Sequence, residues 1–236
     1  MKIKYFTLPN LLTLGNLLCG TLATICAVAA IWDTNISLKI ILLLTLASAI
    51  FDFLDDFAAR LTGQYSALGV QLDSLADMVS FGVTPSLVLV AMFCSAGGVG
   101  WWWMICLVIA LCSALRLARF NIDPEQKESF IGLPTPALAI AVGSLAWAVE
   151  EGVLTLSPSI ILAISVVGAW LLISPLRMFS FKLKSFAIRD NAVRFGFLAF
   201  ALTVVIIGGL SSLWCVIAAY ILTSLILQLT TKKEIN

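Results

Sequence analysis

Eight apolar segments follow one another along this chain, each close to the roughly 20 residues that a helix needs to cross a bilayer. A helix is also the simplest structure that satisfies its own backbone hydrogen bonds in lipid. The sequence therefore predicts an all-α integral membrane protein, a bundle of about eight transmembrane helices. We place the segments at about 11–32, 37–57, 68–93, 100–120, 135–149, 157–173, 192–207 and 213–229.

Composition supports the membrane class and excludes several kinds of function. Of the 236 residues 61% are hydrophobic and only 11% are charged, whereas about 25% are charged in soluble domains. The net charge of +1 provides no basic field for nucleic acid, so we expect no nucleic-acid partner. The absence of histidine excludes histidine-based catalysis and histidine-ligated zinc. No break in composition divides the chain, so we expect one domain over 1–236.

The basic residues predict the orientation of the bundle. If the N-terminus and the C-terminus are both cytoplasmic, only Lys39 of the 14 basic residues lies outside, which agrees with the positive-inside rule. The outer turns then hold Asp33, Glu150 and Glu151. We expect the inner membrane of a bacterium. The predicted inside set is Lys2, Lys4, Arg60, Arg116, Arg119, Lys127, Arg177, Lys182, Lys184, Arg189, Arg194, Lys232 and Lys233.

Five aspartates lie at the cytoplasmic ends of two neighbouring segments. Asp52, Asp55 and Asp56 end the second segment, and Asp73 and Asp77 begin the third. Side chains three or four residues apart share one face of a helix. The spacing therefore gives each helix one acidic pair, and a short turn allows the two faces to meet.

Carboxylates that converge without histidine or thiolate form a site for a hard cation such as Mg²⁺ or Mn²⁺. Ionisable groups at this depth are costly and usually functional. One alternative is a buried ion network with Arg60 and Arg116. Another is the ion pathway of a divalent-cation transporter, which would favour acids near the middle of the bilayer. Acids at one interface instead favour a site that both a lipid and a water-soluble molecule can reach.

The acidic motif resembles that of a known family. The sequence Asp-Phe-Leu-Asp-Asp-Phe-Ala-Ala-Arg at 52–60 is followed by Gly69, Asp73 and Asp77. It is similar to D-x2-D-G-x2-A-R-x8-G-x3-D-x3-D, the signature of CDP-alcohol phosphatidyltransferases. All fixed positions match except one, where Asp56 replaces a glycine. The family transfers a phosphatidyl group from a CDP-linked lipid to an alcohol and releases CMP.

The resemblance implies a role for each matching position. Asp52, Asp55, Asp73 and Asp77 would hold two divalent ions, Mg²⁺ or Mn²⁺, and Asp77 would also be the general base. Gly69 would allow two helices to approach closely. Asp56 is expected to point at the site, with pairing to Arg60 away from the ligand as the alternative. The residues that would contact CDP-diacylglycerol are Asn10, Thr13, Asn16, Asp56, Ala59, Arg60 and Gly69.

Other stretches resemble the phosphatidylserine synthase branch of the family. They include 9–16, 80–85, 116–121, 132–136 and 177–180. The implied acceptor is L-serine, bound by Arg116, Arg119 and Asn121. The two arginines lie three residues apart and could form a pocket for a carboxylate or phosphate, so glycerol 3-phosphate or inositol phosphate stays an alternative. Alternatively, the two arginines are ordinary basic residues at the cytoplasmic end of a membrane span, as the positive-inside rule describes. We also expect membrane lipids as partners and a homodimer.

Overall fold

The computed structural model describes residues 5–33, 35–123, 131–178 and 192–233, with the backbone alone at 192–194 and 231–233. These parts contain helices and one isolated β-bridge, between Ile131 and Arg177, but no strand. The α-helices are α1 (Leu8–Trp32), α2 (Leu38–Thr62), α3 (Ala67–Asp77), α4 (Thr84–Ser95), α5 (Val108–Ile122), α6 (Thr135–Glu150), α7 (Pro158–Ile173), α8 (Ala192–Gly208) and α9 (Leu213–Lys233).

Short non-α segments connect some of these helices into longer rods. A π-helix, Met78–Val83, joins α3 to α4, and a 3₁₀-helix, Gly100–Leu107, leads into α5. In the described part of the chain, eight rods therefore correspond to the eight predicted segments, which confirms the all-helical class. Four of them are long and apolar enough to cross a membrane: Leu8–Trp32, Ala67–Ser95, Gly100–Ile122 and Leu210–Thr230. Crossing by all eight stays a prediction.

Small residues allow α1 to pack closely against its neighbours. Gly20, Ala23, Ala27 and Ala30 are buried along one face of this helix, which packs along α2 and also contacts α3, the π-helix and α4. A Cβ atom on Gly20 would lie 2.7 Å from the Cα of Ser80 and collide with its side chain. The backbones of α1 and the π-helix are therefore almost in contact.

The turn between α2 and α3 brings their polar ends together. Gly63 ends α2 in the left-handed conformation, with φ of 64°, which a residue without a Cβ adopts at little cost. Ser66 then caps α3 by accepting a hydrogen bond from the backbone N–H of Gly69 at 2.9 Å. The two helices therefore run in opposite directions as neighbours, with their aspartates at the same end.

The π-helix has a local cause in the sequence. Pro85 has no backbone N–H and cannot donate to the carbonyl group one turn earlier. Just before it, the N–H of Thr84 donates to Val79, five residues back, which is the π-helical spacing. The wider turn directly follows Asp77, so it influences where that side chain points.

A loop before α6 is fixed against the end of α7. Gly132 adopts φ of 79°, and its N–H donates to the carbonyl oxygen of Leu176 at 2.8 Å. The N–H of Leu133 donates to Leu171 at 2.9 Å. These bonds hold the first residue of α6, Thr135, next to α5.

Candidate functional site

The two acidic pairs meet at the ends of α2 and α3, as their spacing predicts. Asp52, Asp55 and Asp73 each offer a carboxylate oxygen, and the three oxygens lie within 4.8 Å of one another. Oxygen ligands at such separations can coordinate one hard divalent cation. The structure therefore places three of the four predicted metal ligands in one group.

Asp77, the fourth predicted ligand, lies next to this group. Its carboxylate is 9% exposed and accepts a hydrogen bond from the side-chain nitrogen of Asn16 at 3.1 Å. Asp52 lies close to both Asp73 and Asp77. Asp77 therefore adjoins the three-oxygen group through Asp52 rather than belonging to it.

The negative charge of these acids has little compensation within the protein. The oxygen Oδ1 of Asp73 is buried and has no hydrogen-bond partner in the described part of the chain. Asp55 accepts a hydrogen bond from the hydroxyl of Thr13. Burying an ionised carboxylate without a partner is costly, so this donor set fits a bound divalent cation.

The alternative of a buried ion network has no support in the described residues. The ion pairs there are Lys39–Glu151, Arg60–Asp56 and Arg119–Asp123. None of them includes a member of the acidic group. Arg116 lies near Asp77, but the hydrogen bond of its guanidinium goes to Thr135.

A cleft opens between the start of α1, the end of α2 and the start of α3. Asp55 and Asp73 lie on its wall, so the acidic group faces this space. Most residues predicted to bind CDP-diacylglycerol lie on the same wall; these are Asn10, Thr13, Asp56, Ala59 and Gly69. The structure thus brings five of the seven together, apart from Asn16 and Arg60.

Gly69 brings α3 close to α1, as expected for this position. A Cβ atom there would lie 3.3 Å from Oδ1 of Asn10 and 3.2 Å from Oγ of Ser66. Both distances are tighter than usual van der Waals contacts. A side chain at Gly69 would therefore narrow the cleft or displace Asn10.

Asp56 combines the two alternatives considered for it. Its carboxylate lines the cleft and also pairs with Arg60, one helical turn later, at 3.3 Å. Both side chains are 70% exposed, and exposed pairs of this kind are weak. A ligand in the cleft would therefore meet an exposed and weakly held Asp56–Arg60 pair.

Asn16 differs from its predicted place at the nucleotide. It is completely buried and is absent from the wall of the cleft. Its side chain contacts Asp77 and Ser80 instead. The reason is its position on α1, about one turn past Thr13, the last residue of this helix on the wall, where the helix contacts the π-helix.

The three residues predicted to bind the acceptor do not form one pocket. Arg116 is 7% exposed and donates to Thr135 at 3.4 Å, and its Nε has no partner among the described residues. Arg119 pairs with Asp123 at 3.3 Å, while Asn121 donates to Ser74 at 2.9 Å. Asn121 is five residues after Arg116, about 140° around the helix, so the two side chains diverge.

Some residues of the site carry no strong signal in the sequence. Gln64 and Tyr65 line the cleft from the turn after Gly63. Their position inside the eight-residue gap of the motif was the available clue. Ser80, three residues after Asp77, contacts Asn16, and its spacing from Asp77 could have identified it.

Comparison with known proteins identifies the family. A sequence model of the CDP-alcohol phosphatidyltransferase family matches residues 6–174. A Mycobacterium leprae protein named CDP-diacylglycerol–serine O-phosphatidyltransferase is 37% identical over 192 residues, 78% of this chain and 63% of that protein. A Bacillus subtilis protein of that name is 33% identical over 179 residues, 74% of this chain and 91% of that protein.

The match extends to an archaeal relative but covers less of it. A Methanocaldococcus jannaschii protein of the same name is 39% identical over 137 residues, 58% of this chain and 59% of that protein. The chain spans less than two thirds of the mycobacterial relatives, including 42% of one from Mycobacterium tuberculosis. Because the family model matches most of the chain and these relatives resemble it, we conclude that the chain belongs to the CDP-alcohol phosphatidyltransferase family.

Proposed function

We propose that this protein transfers the phosphatidyl group of CDP-diacylglycerol to the hydroxyl of L-serine, giving phosphatidylserine and CMP. The observation that carries the proposal is the three-carboxylate group at the cleft, with the unpartnered oxygen of Asp73. The choice of serine rests on the names of relatives that are 33–43% identical. The same reaction with glycerol 3-phosphate or inositol phosphate is the alternative.

Two divalent ions, Mg²⁺ or Mn²⁺, fit the acidic residues. Asp52, Asp55, Asp73 and the adjoining Asp77 would hold them, because oxygen donors suit these cations. When bound, such ions stabilise negative charge on phosphoryl oxygens and on a leaving nucleotide. The absence of histidine and the lack of a compensating ion pair in the described residues both favour this assignment.

The remaining chemistry belongs to the side chains themselves. The serine hydroxyl oxygen forms a bond to the lipid-side phosphorus, the phosphoanhydride bond to CMP breaks, and CMP leaves with those electrons. Asp77 accepts the hydroxyl proton as general base. Asn10, Thr13, Ala59 and Gly69 shape the cleft for the nucleotide, with Arg60 at its exposed rim.

Arg116 is the best candidate for the carboxylate of serine. Its guanidinium is buried near Asp77 and keeps an unpartnered Nε among the described residues. Charge-assisted hydrogen bonds to a carboxylate are strong in such an environment. Arg119 and Asn121 are more exposed and would act at the rim of the acceptor site.

We also propose that all eight rods cross the inner membrane of a bacterium, with both termini and the acidic group at the cytoplasmic face, and that the protein is a homodimer. The basic residues support this orientation, although much of the stretch 177–194 lies outside the described residues. The substitution Lys233→Cys, in a chain without its native cysteines, should react with a membrane-impermeant reagent only after the cells are opened. Labelling of intact cells would contradict the orientation.

The reaction is tested by CMP release from purified protein. CDP-diacylglycerol and Mn²⁺ are supplied with serine, glycerol 3-phosphate, inositol phosphate or no acceptor. We expect release to depend on both Mn²⁺ and serine. If CMP is released only with one of the other acceptors, that alcohol is the substrate in place of serine. If no acceptor gives release, the enzyme assignment is contradicted. Uptake of Mn²⁺ by proteoliposomes without CMP release would instead identify a cation transporter.

A further inference from the structure

Asn16 is the centre of a buried network that connects three helical segments. The hydroxyl of Ser48 on α2 donates to its backbone carbonyl oxygen at 2.9 Å. The hydroxyl of Ser80 in the π-helix lies 2.8 Å from its side-chain oxygen and 3.2 Å from the same carbonyl. Its side-chain nitrogen donates to Asp77 at 3.1 Å. This residue therefore contacts the machinery of the site without lining the cleft.

The chemistry of these partners fixes the orientation of the Asn16 amide. An ionised carboxylate can only accept hydrogen bonds, so the nitrogen of the amide must face Asp77. The amide oxygen then faces Ser80, whose hydroxyl donates to it. Reversing the amide would place two acceptors against each other at Asp77.

Backbone packing holds Ser80 in place for this contact. Gly20, one turn after Asn16, lets α1 approach the π-helix so closely that any Cβ there would collide with Ser80. The hydroxyl of Thr84 adds contacts to the carbonyl oxygens of Gly20 at 3.2 Å and Val79 at 3.0 Å. The junction of α3 with the π-helix thus presents Asp77 and Ser80 to the same amide.

We propose that Asn16 and Ser80 are positioning residues that hold the carboxylate of Asp77, and that Asn16 is not a contact of the nucleotide. The inference rests on the proposed function, in which Asp77 accepts the hydroxyl proton. Fixing one oxygen of Asp77 restricts rotation of its carboxylate. The pair therefore acts on the chemical step rather than on the binding of CDP-diacylglycerol.

The test compares four variants in serine-dependent CMP release and in CDP binding. Asn16→Ala removes the amide, Asn16→Leu does so while keeping much of the volume, and Ser80→Ala removes the hydroxyl that orients it. Ser86→Ala is the matched control, because this buried hydroxyl on the same rod donates to Gly82 at 2.9 Å and has no bond to Asn16.

We expect both Asn16 variants to lower kcat by about 100-fold, the order of loss caused by a misplaced reacting group. Ser80→Ala should have a smaller effect in the same direction, and Ser86→Ala should leave kcat unchanged. KM for CDP-diacylglycerol, and the affinity for CDP by calorimetry with Mn²⁺ present, should stay near wild-type values in all four variants.

Three results would overturn the inference. A raised KM and weakened CDP binding with unchanged kcat would make Asn16 a nucleotide contact. Equal loss of kcat in Ser80→Ala and Ser86→Ala would indicate a merely structural role. An unchanged kcat in both Asn16 variants would remove the pair from the mechanism. If the wild-type protein itself shows no serine-dependent release, the proposed function fails and the inference fails with it.

Discussion

A group of carboxylates lies at each end of α2, and the two groups differ in how many donors and ion pairs the protein provides for them. Near the start of the helix, the Glu pair consists of Glu150 and Glu151. Near its end, the Asp cluster consists of Asp52, Asp55, Asp73 and Asp77. The comparison separates acids that are compensated by neighbouring donors from acids that are not.

The Glu pair is fully engaged by neighbouring donors. Glu150 accepts hydrogen bonds from the hydroxyl of Ser37 at 2.7 Å and from the backbone N–H groups of Leu38 at 2.6 Å and Lys39 at 3.2 Å. It therefore caps α2 with a negative charge where the helix dipole favours one. Glu151 accepts from Trp147 at 2.7 Å and pairs with Lys39 at 3.1 Å.

The Asp cluster has more acids and fewer donors. Among the described contacts of its four members, Thr13 donates to Asp55 and Asn16 donates to Asp77. One oxygen of Asp73 has no partner in the described residues. Because the cluster is also more buried than the Glu pair, its uncompensated charge favours binding of an external cation. Carboxylates alone therefore do not identify a site; uncompensated carboxylates do.

The largest expected difference between the two groups is in activity. Asp73→Asn or Asp77→Asn should lower CMP release by about 100-fold or more, because each would remove charge at the proposed metal site and Asp77 is also the proposed base. The matched variant Glu150→Gln should keep near wild-type release. Activity is measured at saturating Mn²⁺ and serine. Near wild-type release by either aspartate variant, in protein that is inserted and folded, would contradict the site.

The second largest expected difference between the Asp cluster and the Glu pair is in their response to metal removal. Chelation by EDTA should stop CMP release, and Mn²⁺ should restore it. Mn²⁺ at 100 times its dissociation constant should stabilise the folded protein by about 2.7 kcal/mol, seen as a rise in melting temperature. Glu150→Gln should show the same rise, whereas Asp73→Asn should lose most of it. An equal rise in wild type and Asp73→Asn would place the cation elsewhere.

The sequence predicted the helices and the Asp cluster, but not the orientation of every side chain around the cluster. Periodicity and spacing predicted the eight helical rods and the meeting of Asp52 and Asp55 with Asp73. Helical spacing alone did not determine which way Asn16 and Arg116 point, because that depends on partners from distant segments. Asn16 turns to Asp77 since Ser80 is brought there by the π-helix, and Arg116 turns to Thr135 since the 131–134 loop fixes α6.

The departure from the family motif at Asp56 should have a moderate effect. Asp56→Gly removes a carboxylate that lines the cleft and would repel the pyrophosphate of CDP-diacylglycerol. We expect kcat/KM for this substrate to rise, with the larger share in KM. Glycine within a helix also costs up to about 1 kcal/mol in stability, so a melting curve accompanies the titration.

A second substitution separates charge from space at this position. Asp56→Ala removes the charge but keeps a Cβ atom, so an equal gain in Asp56→Ala and Asp56→Gly would assign the effect to charge. Equal or slower turnover in Asp56→Gly would mean that the Asp56–Arg60 pair is accommodated by the ligand. In that case the glycine of the family signature is not required in this protein.

The smallest effect should come from breaking the Glu pair itself. Glu150→Gln weakens the cap of α2, and losing a capping interaction costs about 1 kcal/mol, which corresponds to a fall of roughly 2–4 °C in melting temperature for a chain of this size. Lys39→Met should cost less, because exposed ion pairs contribute little. Neither change should alter CMP release at a temperature where both proteins are folded.

The effect of Lys39→Met on the melting temperature should depend on pH. The hydrogen bond from Trp147, followed by that from Lys39, lowers the pKa of Glu151 from its ordinary value. The ionised carboxylate therefore contributes stability at neutral pH that is lost as the pH falls through the lowered pKa. Lys39→Met removes one of the donors to Glu151, so the gap in melting temperature between wild type and variant should be present at pH 7 and should close in acid. A gap that persists unchanged at low pH would show that Lys39 stabilises the protein through its ammonium group, which lies over the ring of Trp147 at 5.4 Å from the ring centre, rather than through Glu151.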